Sequence, residues 1–368
     1  MSQSGLRSPG AMIAETRAMT PLRIDLHSDT KTKPTLAMLE AMTRAEVGDE
    51  QLFEDPTVNA LCERVAGMLG MEAALFLPTG TMCNQISAAV LCRPGDEIIA
   101  DHTAHTLTTE GAGASVIARA AGSMLVGERG IFSAGQLETA IRPVDRYSPR
   151  SRLVAIEQTA NLGGGAIWPL ETVREVVEVA KRHGLLLHMD GARLLNAVVA
   201  SGVDAKSYCD GFDAAWIDFS KGLGAPMGAA LAGSRAFIDE AWRWKQRMGG
   251  AMRQAGILAA AALYALDHHV ERLAEDHANA RILAERLSGI PGVGVDPSRV
   301  ETNIVMIDVS RCGATAPEIG KRLREKGVRI GAIDTATLRA VTHLDVDRDD
   351  VLEAADVFAG LSLGEAAG

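Results

Sequence analysis

Between residues 73 and 219 the chain keeps repeating one unit: a short apolar run that closes on a polar residue, then a stretch with helical periodicity. The runs are 73–77, 97–100, 153–157, 185–187 and 214–219. Short runs that are apolar on both faces suit strands covered on both sides by helices, and helical crossovers make neighbouring strands parallel. The clearest crossover carries Val173, Val176, Val177 and Ala180 at i, i+3, i+4 and i+7, with Gly184 as its stop. The pattern predicts an α/β fold: a mostly parallel sheet flanked by helices in a large domain.

The last hundred residues change character. Val270, Leu273, His277, Ala280, Ala284 and Leu287 form one helical stripe, and predicted strands at 303–309, 328–333 and 338–343 alternate with helices near 317–326 and 349–358. This predicts a smaller C-terminal α/β domain over 268–368, a large domain with an N-terminal arm over 24–267, and a loose, solvated extension over 1–23. That extension has no apolar segment of the secretion-signal kind. The formal net charge of −10 argues against nucleic acid and anionic membranes as partners. The longest small-apolar run, 257–266, is too short to span a bilayer. Five cysteines, scattered and without a Cys-x-x-Cys pair, argue against disulfides and a zinc knuckle and for a reducing, cytoplasmic setting.

Open α/β sheets bind ligands beyond the carboxyl ends of their strands. Four polar elements fall at such ends: 78–81, 101–105, 190–193 and 220–221. Asp190 and Lys221 close successive strands, one crossover apart, so both can face one crevice. A lone lysine is more often a solvated charge, and a lone aspartate there more often a helix cap. Together they fit pyridoxal phosphate, which needs a Schiff-base lysine and an acidic partner for its ring nitrogen. Gly80 and Thr81 open a helix directly after a strand, an anion site by geometry and dipole. His105 ends a strand where a ring could stack and shuttle protons. Gly163-Gly164-Gly165 reads as a flexible loop. His268-His269, placed at the start of the long helix, point to different faces, so no metal site is expected.

These motifs, in order, resemble the L-threonine aldolase family, pyridoxal-phosphate enzymes of fold type I. They are Asp-Leu-His-Ser-Asp-Thr at Asp25, Glu-Asp-Pro-Thr-Val-Asn at Glu54, Pro-Thr-Gly-Thr at Pro78 and Ala-His at Ala104. They continue with His-Met-Asp-Gly-Ala-Arg at His188, Ser-Lys-Gly-Leu-Gly-Ala-Pro at Ser220, Met-Arg-Gln at Met252, Glu-Thr-Asn at Glu301 and Val-Thr-His-Leu-Asp-Val at Val341. The resemblance implies cleavage of the Cα–Cβ bond of an L-β-hydroxy-α-amino acid to glycine and an aldehyde. It implies that Lys221 carries the cofactor, Asp190 holds its ring nitrogen, His105 stacks on the ring, and Gly80 with Thr81 binds the phosphate. Ser28, Arg193 and Arg339 would grip the substrate carboxylate, as an arginine fork suits. Arg253 would reach the phosphate of a neighbouring subunit, which implies a homodimer or homotetramer with active sites at the interface.

The chain departs from the family pattern in three places. Ala160 stands where the family has a histidine that contacts the β-hydroxyl, Leu52-Phe53 replaces Tyr-Gly, and Gln246 replaces a lysine. These imply a pocket tuned toward a bulkier or less polar β-substituent. They also keep a second reading open: β-elimination, a transaldolase reaction, or aldol chemistry on an α-substituted amino acid.

Overall fold

The computed structural model describes residues 21–361. All but the last three residues of the predicted extension lie outside it. Twelve strands occur in the described chain: β1 (Ile24–Asp25), β2 (Ala73–Leu77), β3 (Asp96–Asp101), β4 (Ala121–Leu125), β5 (Arg150–Glu157), β6 (Leu186–Asp190), β7 (Ala214–Asp218), β8 (Ala229–Gly233), β9 (Ile304–Asp308), β10 (Val328–Arg329), β11 (Gly331–Ala332) and β12 (Thr337–Val341).

Seven of them form the main sheet, in the order β2-β8-β7-β6-β5-β3-β4. β8 runs antiparallel to both β2 and β7, while the pairs β3–β4, β3–β5, β5–β6 and β6–β7 are parallel. Every strand but β8 therefore ends at the same edge. The chain winds from β3 out to β4, then crosses back to β5, β6 and β7 on the other side of β3, and a crevice opens where the winding reverses.

The helices form where the periodicity places them. Helix Leu170–Arg182 buries Val173, Val176, Val177 and Ala180, with Glu171 in its first turn and Lys181 and Arg182 in its last, each suited to the helix dipole. Helix Pro56–Leu69 begins with the Asp55 carboxylate accepting from Val58 N–H and ends on Gly70 at φ 68°. Both features hold this helix against β2, where Leu61, Val65 and Leu69 join the main core.

A second core lies under β9–β12, gathering Leu283, Leu287, Val305, Ile307, Leu323, Leu338 and Phe358. The sequence assigned residues 24–26 to the large domain's arm, but Ile24 and Leu26 are buried in this second core. The cause is β1, which pairs parallel with β10 through Ile24 and Val328. Helix Leu273–Ser288 links the two cores: Leu273 packs in the first, Ala280, Leu283 and Leu287 in the second.

Two local expectations need correction. The glycine run is no flexible loop: Gly163, Gly164 and Gly165 are buried in a tight turn. Gly164 and Gly165 have φ of 75° and 70°, and Gly165 donates to the Ala160 carbonyl while accepting from Thr302 Oγ1. A Cβ on Gly163 would stand 1.9 Å from the Arg129 carbonyl oxygen, so close packing requires the glycine. His268 and His269 end helix Gly256–His268 rather than begin the next one, and the His269 ring pairs with the Leu223 carbonyl.

Candidate active site

The parallel edge of the sheet opens onto a cavity of about 580 Å³ lined by polar groups at or just after the ends of β2, β3, β5, β6 and β7. Its lining includes Ser28, Gly80, Thr81, His105, Asp190, Arg193, Lys221 and Arg339, so eight of the nine predicted site residues meet there. Arg253 is not among them. It lies on the surface, its guanidinium 2.7 Å from Asp49 Oδ2.

Asp190 ends β6, and Ala192 N–H and Asn84 Nδ2 donate to its two oxygens at 3.1 and 2.7 Å. Asn84 also donates to Glu110 Oε1 at 2.7 Å, and its Oδ1 accepts from Trp216 Nε1 at 2.7 Å. An indole nitrogen can only donate, so the amide's orientation is fixed by chemistry. His188 Nε2 lies 2.9 Å from that same Oδ1 and must therefore donate to it. Burial pushes this histidine down to about 4, so it is neutral.

Lys221 follows β7 and places Nζ 3.0 Å from Asp218 Oδ2 and 5.8 Å from the Trp216 ring centre. Asp218 is itself held by Ser220, whose N–H and hydroxyl both donate to Oδ1. Helix Gly80–Leu91 starts beside them, with Thr79 Oγ1 accepting from Met82 N–H. That leaves the N–H groups of Gly80 and Thr81 at the open end, without an intrahelical acceptor. A Cβ at Gly80 would stand 2.2 Å from the Trp216 ring, so the residue must be glycine for indole and helix end to meet.

Two arginines also line the cavity. Arg193 donates from Nε and Nη2 to both oxygens of Asp29, each at 2.7 Å, in a pair with almost no solvent exposure. Burial alone pushes Asp29 up, but the Arg193 guanidinium more than reverses this and holds the carboxyl far below the usual range. Asn161 Oδ1 accepts from Arg339 Nη1 at 2.7 Å and lies 3.4 Å from Arg193 Nη1, so the two guanidiniums converge. Arg339 Nε is buried without a partner, as is Glu110 Oε2 on the other side. An unpaired buried donor beside a second guanidinium matches an incoming carboxylate.

Two groups here favour a bound proton. The Glu110 carboxylate, 2.8 Å from His105 Nδ1, holds that imidazole above its ordinary value. Burial, with Asp190 adding to it, pushes Glu157 up to about 7 although the N–H groups of His105 and Asn161 donate to it. Glu157 ends β5 directly opposite Asp190 in the parallel ladder.

The sequence missed Asn84, Glu110, Asp29 and Asn161 as site residues. Asn84 was within reach, since it sits one helical turn after Gly80 and so shares its face. The departures at 160, 52–53 and 246 do not line this cavity. Ala160 is buried, and a Cβ on Gly130 would come 2.8 Å from its own. Leu52 and Phe53 are largely exposed, Phe53 standing edge-on to Trp242, and Gln246 is exposed.

The donor set fits a ring bearing an aldehyde, a basic nitrogen and a phosphate: an amine, a carboxylate supplied with N–H donors, and a free helix start in one cavity. Fold and site together define a pyridoxal-phosphate enzyme of fold type I. A family model described as beta-eliminating lyase matches residues 25–312. The chain is 42% identical to the low specificity L-threonine aldolase of Escherichia coli K12, over 90% of this chain and 97% of the relative. It is 40% identical to low-specificity L-threonine aldolase 1 of Arabidopsis thaliana, over 89% and 93%. The chain belongs to the beta-eliminating lyase family and stands with its L-threonine aldolases. Among solved structures, a Leishmania major threonine aldolase superimposes with a TM-score of 0.78 at 19% identity, covering 91% of this chain and 98% of that one. Aspartate aminotransferase from Rhizobium meliloti gives 0.71 at 17%, covering 95% and 92%. Both likenesses concern the fold.

Asp29→Asn should strand the buried Arg193 charge and cost about 3–5 kcal/mol of stability in chemical denaturation. The double variant Asp29→Leu, Arg193→Met should recover part of it, and a single-variant loss below about 1 kcal/mol would contradict the pairing. Glu157 binds a proton more tightly folded than unfolded, so its contribution is complete below the unfolded value and is lost as pH rises through about 7. The side-chain carboxyl ¹³C resonance of Glu157 should titrate near there in the folded protein. A midpoint in the ordinary carboxylate range would refute the shift.

Proposed function

We propose that this chain is a pyridoxal-phosphate-dependent L-threonine aldolase, cleaving an L-β-hydroxy-α-amino acid to glycine and an aldehyde. The observation that carries the reading is the shared cavity, whose lining brings together Lys221, Asp190 and the convergent Arg193 and Arg339. Over 40% identity to an L-threonine aldolase along nearly the whole chain supports it.

In this reading Lys221 holds the cofactor covalently, and Gly80 and Thr81 offer N–H groups to its phosphate. Asp190, oriented by its Asn84 and Ala192 donors, would face the ring nitrogen. Bound there, pyridoxal phosphate supplies an electron sink for the pair released when a bond to Cα breaks. His105, which lines the cavity, would lie beside the ring. Arg339, with the free edge of Arg193, takes the substrate carboxylate, and Ser28 borders that end. A carboxylate held at two points fixes how Cα presents its bonds, so the bond aligned for cleavage is chosen by position. His105 and Glu157 are the groups that can hold a proton beside the β-hydroxyl.

A second copy would complete the site. Arg253, away from its own cavity, is backbone-bonded to Glu50, and Gln51 Nε2 donates to the Met252 carbonyl. That knot carries the exposed Leu52 and Phe53, a surface suited to a homodimer or homotetramer. No helix among the described residues is long and apolar enough to cross a membrane. The free cysteines agree with a cytoplasmic protein. β-Elimination rested on Ala160, Leu52-Phe53 and Gln246, none of which lines the cavity, so the geometry gives it no separate support.

Incubated with L-threonine, the holoenzyme should release glycine and acetaldehyde in equal amounts. Keto acid and ammonia without glycine would overturn the assignment in favour of elimination.

A further inference from the structure

Behind the carboxylate end of the active site lies a second cavity, of about 290 Å³. Leu162 lines both this space and the active-site cavity, so its side chain forms part of the partition between them. The position is fixed from both sides in sequence. Asn161 is tied through Oδ1 to Arg339 and through its N–H to Glu157. Gly163 is pressed against the Arg129 carbonyl, and its own carbonyl accepts from Arg129 Nε. With both neighbours anchored, the backbone has little room to swing, and the side chain at 162 decides how far the two spaces communicate.

The second cavity is bordered by the apolar side chains of Leu162, Val300, Ile304 and Met306, the backbone of Gly163 and Gly164, and two exposed charged residues: Asp296, which accepts from Ser298, and Arg299, which donates to Glu128. Arg129 also borders it, but its guanidinium is spent on Glu301, the Arg299 carbonyl and Gly163. A charged guest would find no free counter-ion in Arg129, whereas an uncharged apolar group would displace water from apolar walls. The space is of the size that takes one aromatic ring or a short branched chain.

We propose that this cavity is the subsite for the apolar end of the substrate's β-substituent, and that Leu162 sets how large that substituent can be. The inference rests on the aldolase reading above and extends it. With the α-carboxylate on Arg339 and Arg193, the group on Cβ is the part of the substrate free to extend past Asn161 toward Leu162. A small methyl stops at the partition; a phenyl ring needs the space beyond it. The apolar character that the sequence suggested for the pocket thus resides at Leu162, Ile304 and Met306 rather than at Leu52 and Phe53.

The test compares L-threonine with L-threo-phenylserine, each scored by glycine release from the holoenzyme, in the native protein, Leu162→Ala and Val300→Phe. Opening the partition with Leu162→Ala should raise the phenylserine-to-threonine ratio of kcat/KM by about tenfold, the scale of a few methylenes in an apolar pocket. Val300→Phe fills the far cavity from a residue that does not line the active site, so it should lower that ratio by a similar factor, mainly through KM for phenylserine, with threonine unchanged. The cofactor's visible absorbance should be the same in all three proteins, which separates a changed subsite from a disturbed cofactor. Ratios within twofold of native in both variants would overturn the inference and leave the aldolase reading standing. Absence of glycine from both amino acids in the native protein would overturn the reading itself, and the subsite with it.

Discussion

The amide of Asn84 is the constraint on which the site depends. Its two faces make four hydrogen bonds, donating to Asp190 and Glu110 and accepting from Trp216 and His188. These partners come from β6, β7 and the segment after β3, so one buried side chain fixes the spacing of three parts of the sheet edge. The indole fixes which way the amide faces, and that in turn points both amide hydrogens at carboxylates. Asp190 is thereby fixed in place, with Asn84 and Ala192 donating to its two oxygens. Every polar atom of the amide itself is paired, while Glu110 keeps one buried oxygen, Oε2, without a partner.

The second constraint ties the N-terminal arm to the cavity. The Asp29–Arg193 pair consumes two of the arginine's donors, and Asn303 Nδ2 adds a hydrogen bond to Asp29 at 3.1 Å. Arg193 is thus less a free carboxylate clamp than a fixed post, with Arg339 presenting the unpartnered donor. Because β1 is sewn to β10 in the second core, the arm, the cavity-lining arginines and the C-terminal strands are held together.

Much of the fold was legible because its strands are apolar runs closed by polar residues. β2 fell where its apolar run put it, and the ends of β3, β5, β6 and β7 were close enough to place every strand-end motif on the right edge. β8 escaped notice: Ala-Ala-Leu-Ala-Gly is made of small side chains, whose packing value comes from what lies against them. The site was legible where a residue's chemistry needs no orientation, as with an amine and a carboxylate one crossover apart. It was misjudged where direction matters. Ala160 lies within the Glu157–Asn161 motif, yet its methyl turns toward Gly130 and Gly163, away from the cavity. A residue's facing inside a tight turn depends on glycines at positive φ, and spacing alone does not reveal it.

The proposed chemistry turns on the amine of Lys221 and the carboxylate of Asp190 sharing one ring. The most direct measurement is borohydride reduction of the purified, cofactor-loaded protein, followed by peptide mass mapping of the trapped pyridoxyl group. The account predicts a single adduct, on Lys221. An adduct on any other lysine, or a protein that takes up no cofactor at all, would contradict it.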